Sequence, residues 1–385
     1  MFDPERFITQ RLRAIDASGI RRVFDLAANL KNPINLSIGQ PDFDVPREVK
    51  DAAIEAIESG FNQYTVTQGM AELRMRVTAQ LREEFPAWGR GFDTGELSLL
   101  ITSGVSGGLV LGLMTCIEAG DEVLMPDPYF VMYRHLVTLA GGTPVFVDTY
   151  PDFQMTADRV LPHLTERSKL LLLNWPSNPT GVVASAATCR DLAALARERQ
   201  LLLLSDEIYD LFTYEGVAET GRSPSVAQCS TDVLLMRGFS KTYGMTGWRL
   251  GYVAGPTAVV DQMTKLQQYS FVCAPSMAQV AGCTALEVGM HQHVEDYARK
   301  RDLVVQRLGE RFELTRPGGA FYAFPRVPEH LGQTGVAFAE RAIERGVLII
   351  PGSVFSQRDT HFRISYACDD ETLGRGLDIL LELAK

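Results

Sequence analysis

Seven short apolar runs recur through the middle of the chain: 99–102, 122–125, 144–147, 170–173, 201–204, 233–236 and 250–254. Each is too short for a helix, lacks polar alternation and is bounded by turn residues, the pattern of strands buried on both faces. Helical stretches separate them. The arrangement predicts an α/β fold with a mostly parallel sheet and helices on both sides.

The flanks read differently. A basic helical stretch runs to Leu30, followed by Asn32-Pro33 and the loop Gly39-Gln40-Pro41-Asp42-Phe43, where two prolines forbid a continuous helix; an arm or lid is expected there. Val49, Ala53, Ile54 and Ile57 recur at helical spacing, as do Leu73, Val77 and Leu81, so two amphipathic helices bracket Tyr64. From about Val288 a long helix (Val294, Tyr297, Ala298, Val304, Val305, Leu308) leads to a Pro317-Gly318-Gly319 turn and a helix around 338–343. Strand-like runs at 347–350 and 362–366 and a last helix from Asp370 to Leu383 follow, which together predict a smaller α+β domain.

Composition bounds the partners. Among 385 residues, 37 Lys and Arg stand against 47 Asp and Glu, a net charge of −10 that would repel a nucleic-acid backbone or an anionic bilayer. Neither nucleic acid nor membrane is expected as a partner. No apolar run approaches the roughly 20 residues that cross a bilayer, and the mixed charges of residues 1–13 fit no leader peptide, so a cytoplasmic protein is expected. Six scattered cysteines without a C-x-x-C pair read as free thiols, with neither disulfide nor metal site expected.

Ligands of open α/β sheets bind beyond the carboxyl ends of the strands. Past run 170–173 stands Asn174-Trp175-Pro176-Ser177-Asn178-Pro179-Thr180-Gly181, and past run 201–204 stands Ser205-Asp206-Glu207-Ile208-Tyr209. Past run 233–236 come Ser240-Lys241-Thr242 and Gly247-Trp248-Arg249. Read singly, the Asn178 segment is a turn, Asp206 a helix cap, and Lys241 and Arg249 solvated surface cations. Together they bring an amide, a carboxylate, a phenol, a hydroxyl, an amine and a guanidinium to one edge.

That conjunction suits pyridoxal 5'-phosphate. Burial of Lys241 would leave a neutral amine able to condense with an aldehyde, and Asp206 would pair with the protonated ring nitrogen. Asn178 and Tyr209 would hydrogen-bond the phenolate oxygen. The small-residue loop with Gly104, Val105 and Ser106 opens an apolar helix and offers free N–H groups to the phosphate, with Ser240 and Arg249 closing on it. Phe130 is the candidate to stack on the ring, unless it is plain core.

With Gly39-Gln40-Pro41-Asp42-Phe43, Tyr64-Thr65, Gly69-Met70-Ala71-Glu72-Leu73-Arg74, Asn178-Pro179-Thr180-Gly181, Asp206-Glu207-Ile208-Tyr209, Ser240-Lys241-Thr242, Gly247-Trp248-Arg249-Leu250-Gly251 and Phe362-Arg363-Ile364-Ser365, the chain resembles the class I/II aminotransferases. These belong to the fold-type-I pyridoxal-phosphate enzymes of the aspartate aminotransferase superfamily. The resemblance implies that Lys241 bonds the cofactor aldehyde, that Arg363 grips the substrate α-carboxylate beside the backbone of Gly39 and Asn178, and that Tyr64 reaches the phosphate of a second subunit. A homodimer is implied. So is a division into an N-terminal arm with part of the small domain (1–45), a large cofactor domain with a seven-stranded sheet (46–287) and a small C-terminal domain (288–385).

The reaction so implied is a ping-pong transfer of an amino group between an L-amino acid and a 2-oxo acid, with Lys241, Asp206 and Tyr209 as catalytic residues. Aspartate-selective relatives place a cation in the phosphate loop or before the Pro-Ser pair; here those positions hold Ser106 and Gln268. The alternative is a monocarboxylic or aromatic donor, with 2-oxoglutarate or pyruvate as acceptor and with Tyr64, Phe130 and Phe321 as pocket lining. A β-eliminating C–S lyase and an acyl-CoA condensing enzyme would share the same cradle. A non-catalytic ligand-sensing regulator would carry an added DNA-binding domain, for which 385 residues, with the resemblance beginning near residue 30 and a net charge of −10, are expected to leave no room.

Overall fold

The computed structural model describes residues 2–16, 19, 30–214 and 221–385. All seven apolar runs are strands of one sheet: β1 (Leu97–Thr102), β2 (Glu122–Asp127), β3 (Thr143–Asp148), β4 (Ser168–Asn174), β5 (Leu202–Asp206), β6 (Val233–Gly238) and β7 (Gly251–Pro256). Their order across the sheet is β1-β7-β6-β5-β4-β2-β3. Only β7 runs antiparallel to its neighbours, and this reversal matters for function. It brings the start of β7, just past Arg249, to the edge where the parallel strands end.

The leucine-rich strands β4 and β5 are buried on both faces, as their lack of alternation predicts. Strand β3 departs from that expectation and is half-exposed, because it closes one edge of the sheet. Helix Arg47–Glu58 buries Val49, Ala53 and Ala56 and turns Ile54 and Ile57 outward, so its apolar residues serve two faces rather than one. Helix Ala71–Glu84 buries Leu73, Val77 and Leu81, as the spacing requires.

A second sheet holds β8 (Tyr322–Ala323), β9 (Ile350–Pro351) and β10 (Phe362–Ser365), antiparallel in the order β9-β10-β8. The apolar run 347–350 is therefore divided: Val347–Leu348 pairs in parallel with Ile34–Asn35, while Ile350 joins β9. Through that pairing the segment before Gly39 is held by the C-terminal part of the chain. Helices His291–Leu308, Gly335–Glu344 and Asp370–Leu383 cover this region. Of the expected N-terminal helical stretch, a short turn at Pro4–Phe7 and a helix at Gln10–Arg13 are present. Residues 17–18 and 20–29 lie outside the described residues. No described helix is long and apolar enough to cross a membrane, and all six cysteines are unpaired.

Candidate active site

The ends of β4, β5 and β6 lie in register, with Asn174 opposite Asp206 and Asp206 opposite Met236. On the reversed strand, Gly251 stands opposite both Gly238 and Thr102. Beyond this line opens a cleft of about 510 Å³. Gly39, Val105, Ser106, Phe130, Asn178, Asp206, Tyr209, Ser240, Lys241, Arg249 and Arg363 all line it, although they come from eight separate segments of sequence.

Asp206 sits at the floor. Its Oδ2 accepts from the Tyr133 hydroxyl at 2.7 Å and its Oδ1 from the Ile208 N–H at 3.3 Å. Burial pushes its carboxyl up to about 6, against the stabilising hydrogen bond from Tyr133. Asn174 ties two arms of the site together: its amide donates to the Asp206 carbonyl at 2.9 Å, and its oxygen accepts from the Asn178 N–H at 3.0 Å. Lys241 lies in the short helix Phe239–Thr242 and donates from Nζ to the Gly39 carbonyl. Burial, then the charges of Arg363 and Arg249, pull its amine down to about 8, with Asp206 opposing.

Gly104 opens helix Gly104–Cys116 with φ +71°, a conformation that favours glycine, and no side chain caps the helix start. The helix start is thus left uncapped where Val105 and Ser106 line the cleft. A Cβ on Gly104 would collide with the Arg249 guanidinium, and one on Gly251 would come within 2.8 Å of the Gly104 carbonyl carbon and the Val105 nitrogen. Both glycines allow the cation and the helix start to sit together. Arg249 donates to the Thr246 carbonyl at 2.9 Å, and no described carboxylate lies within ion-pair distance of it.

Arg363 is only 1% exposed on β10. Its Nη1 donates to Asn178 Oδ1 at 2.9 Å and its Nη2 to the Ser37 carbonyl at 2.7 Å. Among the described residues the buried Nε has no partner and no carboxylate balances the charge. Read alone, residue 363 could be a solvated edge arginine; instead β10 is buried on both faces, as the middle strand of its sheet.

Several groups around the cleft carry no signal in the sequence. Tyr133 holds Asp206; the Tyr322 hydroxyl lies 2.9 Å from that of Tyr209; and the Tyr322 and Phe355 rings pack against the Arg363 guanidinium. None stands in a strand-end motif, so no local pattern marks them. Only Asn174, directly after an apolar run, carried a signal. Two expectations need correction or completion. Phe321 does not line the cleft: it is wholly buried, edge-on to Tyr209 and Phe212. Tyr64 is 82% exposed and lies outside the cleft of its own chain, beside a separate surface depression with Phe61 and Val66.

Fold and cleft together define a fold-type-I α/β enzyme, with a buried amine, an uncapped helix start and a buried arginine brought to one cleft. The model of the family described as aminotransferase class I and II matches residues 31–380, and the chain belongs to that family. It is 37% identical to a probable aspartate aminotransferase of Methanocaldococcus jannaschii, over 98% of this chain and 99% of that one. It is equally 37% identical to aromatic-amino-acid aminotransferase 2 of Thermococcus litoralis, over 98% of each. A single mutant of the Thermus thermophilus aspartate aminotransferase superposes with a TM-score of 0.90 at 32% identity, over 98% of this chain and 99% of that one. The protein is an aminotransferase, an enzyme that moves an amino group between an amino acid and a 2-oxo acid.

Proposed function

We propose that the cleft binds pyridoxal 5'-phosphate, with Lys241 bonded to its aldehyde, and that Arg363 receives the α-carboxylate of the amino donor and of the 2-oxo acceptor. The observation that carries this is the charge state of the cleft. Three cations, Lys241, Arg249 and Arg363, face one carboxylate, Asp206, so the site is short of anions in a way that a phosphate and a carboxylate would make good. The donor set fits the group: the uncapped helix start at Gly104, Val105 and Ser106, with Ser240 and Arg249, for the phosphate; Asp206 for the ring nitrogen; Asn178 and Tyr209 for the phenolate oxygen; Phe130 for the ring face.

When bound, the cofactor supplies an electron sink for the pair left when the substrate Cα–H bond breaks. The chain supplies the rest. Arg363, steadied by Asn178 and Ser37, would fix the carboxylate through its free N–H groups and so orient the donor in the cleft. Lys241, freed when the amine of the donor takes its place and then depressed toward about 8 by burial, would be the group that holds and moves the Cα proton. Asp206 would hold the ring nitrogen, and a positive charge there would oppose the upward push that burial gives its carboxyl.

The assembly is proposed as a homodimer in which Tyr64 reaches the phosphate site of the second copy. Ile54, Ile57, Phe61, Tyr64 and Val66 form an exposed apolar stretch that supports this reading. The division into residues 1–45, 46–287 and 288–385 and a cytoplasmic location are proposed with it, the unpaired cysteines suiting a reducing compartment. For the donor, Ser106 in the phosphate loop and the apolar Leu109, Ile38 and Phe130 of the lining favour a neutral or aromatic side chain over a dicarboxylate.

The test is reconstitution of the purified chain with pyridoxal 5'-phosphate. A visible band should appear, borohydride should fix the cofactor at Lys241 in the peptide map, and a single-turnover screen should show which amino acids bleach the band. A colourless protein with no adduct at position 241 would refute the reading.

A further inference from the structure

We propose that Tyr322 is a positioning residue that links the carboxylate grip to the phenol of the cleft, its ring holding Arg363 and its hydroxyl setting the direction of the Tyr209 proton. The inference rests on the cofactor reading above and deepens it.

Tyr322 lies on β8, paired with Ser365 of β10, which sets it diagonally from Arg363 across the two strands. Its ring centroid is 4.6 Å from the guanidinium carbon, and that of Phe355 is 4.7 Å from it. Two aromatic faces therefore attend a buried cation that lacks a carboxylate. The Tyr322 hydroxyl has one hydrogen-bond partner among the described residues, the Tyr209 hydroxyl at 2.9 Å.

Tyr322 is wholly buried, so its single proton has nowhere else to go. Were Tyr209 the donor, the Tyr322 proton would be buried without an acceptor. The arrangement that satisfies both has Tyr322 donating to Tyr209, and Tyr209, which lines the cleft, donating into it. The Arg363 charge beside the Tyr322 ring makes that hydroxyl a better donor, and a donor so polarised strengthens the next bond in the chain. A carboxylate arriving at Arg363 is therefore felt at the Tyr209 proton by a route separate from the Arg363–Asn178 bond.

The hydroxyl also reaches the third arm of the site. A Cβ on Gly39 would stand 3.2 Å from it, and the Gly39 carbonyl is the acceptor of Lys241 Nζ. Arg363, Tyr209 and the Gly39 loop thus rest on one side chain that never enters the cleft.

The experiment uses the holoenzyme with Tyr322→Phe, which keeps the ring, and Tyr322→Leu, which removes it. A donor on a phenolate oxygen draws charge from the conjugated system, so a weaker donor raises the pH midpoint of the visible band. Tyr322→Phe should raise that midpoint by roughly half a pH unit and leave KM for the amino donor within about threefold of wild type. Tyr322→Leu should raise the midpoint and also increase KM about tenfold as the guanidinium loses its platform. A wild-type midpoint in Tyr322→Phe overturns the proposal whether or not the leucine variant folds, and a wild-type KM in folded Tyr322→Leu overturns the ring half. Failure of the wild-type chain to develop the band would instead strike the cofactor reading.

Discussion

Two arginines, Arg237 of the large sheet and Arg363 of the small one, are 2% and 1% exposed, yet the molecule treats them in opposite ways. Arg237 is closed on all sides: its Nη1 and Nη2 donate to Glu84 at 2.6 and 2.7 Å, and its Nε and Nη2 donate to Glu207 at 3.1 and 2.8 Å. Glu207 in turn accepts from the Ser205 and Ser225 hydroxyls, and Asp210 pairs with Arg222. Burial opposes the charge on Arg237, but the carboxylates, Glu84 foremost, more than restore it. Around Arg363 burial wins and pulls the guanidinium down, with Tyr322 and Tyr209 offsetting it only in part. A buried ion with all its partners inside the chain is architecture, and one left open at equal depth awaits a charge from outside.

Substitution should separate the two. Arg363→Leu is expected to lower kcat/KM for the amino donor about a thousandfold, since it removes a charge-assisted grip from a buried position. Its melting temperature should equal or exceed that of wild type, because a buried charge without a counter-ion has gone; a large loss of stability would erase the contrast. Arg237→Met should do the reverse. Leaving Glu207 buried without a cation, and Glu84 with Arg222 alone at 3.6 Å, costs about 3–5 kcal/mol in denaturant unfolding, while the kinetic constants of the folded fraction stay within about threefold.

The smallest effect concerns Lys241. Its amine is depressed to about 8 by burial and then by the charges of Arg363 and Arg249, so the neutral nucleophile accumulates above that pH. The rate at which the cofactor-free protein captures pyridoxal 5'-phosphate should climb with pH and level off above about 8. Arg363→Leu takes away a repelling charge, lets the ammonium form persist and moves the midpoint upward; Arg237→Met should leave it in place. Stopped-flow absorbance across the neutral and alkaline range reads both.

Much of this was legible in the chain itself. The seven strands follow from apolar runs too short and too uniform for anything else, and the strand-end residues Asp206, Asn178 and Lys241 follow from the rule that such sheets bind ligands at that edge. The pattern failed where a residue's environment depends on distant partners. Ile54 and Ile57 have core periodicity yet face outward, because Val49, Ala53 and Ala56 already fill the inner face. Phe321 was an equally good pocket aromatic by type, but the turn into β8 sends it to the core.

By itself, the order of residues determined the class of fold and the chemistry gathered at its edge, since both depend on short-range periodicity and on what directly follows a strand. Tertiary structure alone decided which buried arginine would be neutralised and which left open. Glu84 meets Arg237 from 153 positions away and Asn178 meets Arg363 from 185, and contacts of that span depend on how whole layers pack rather than on local pattern.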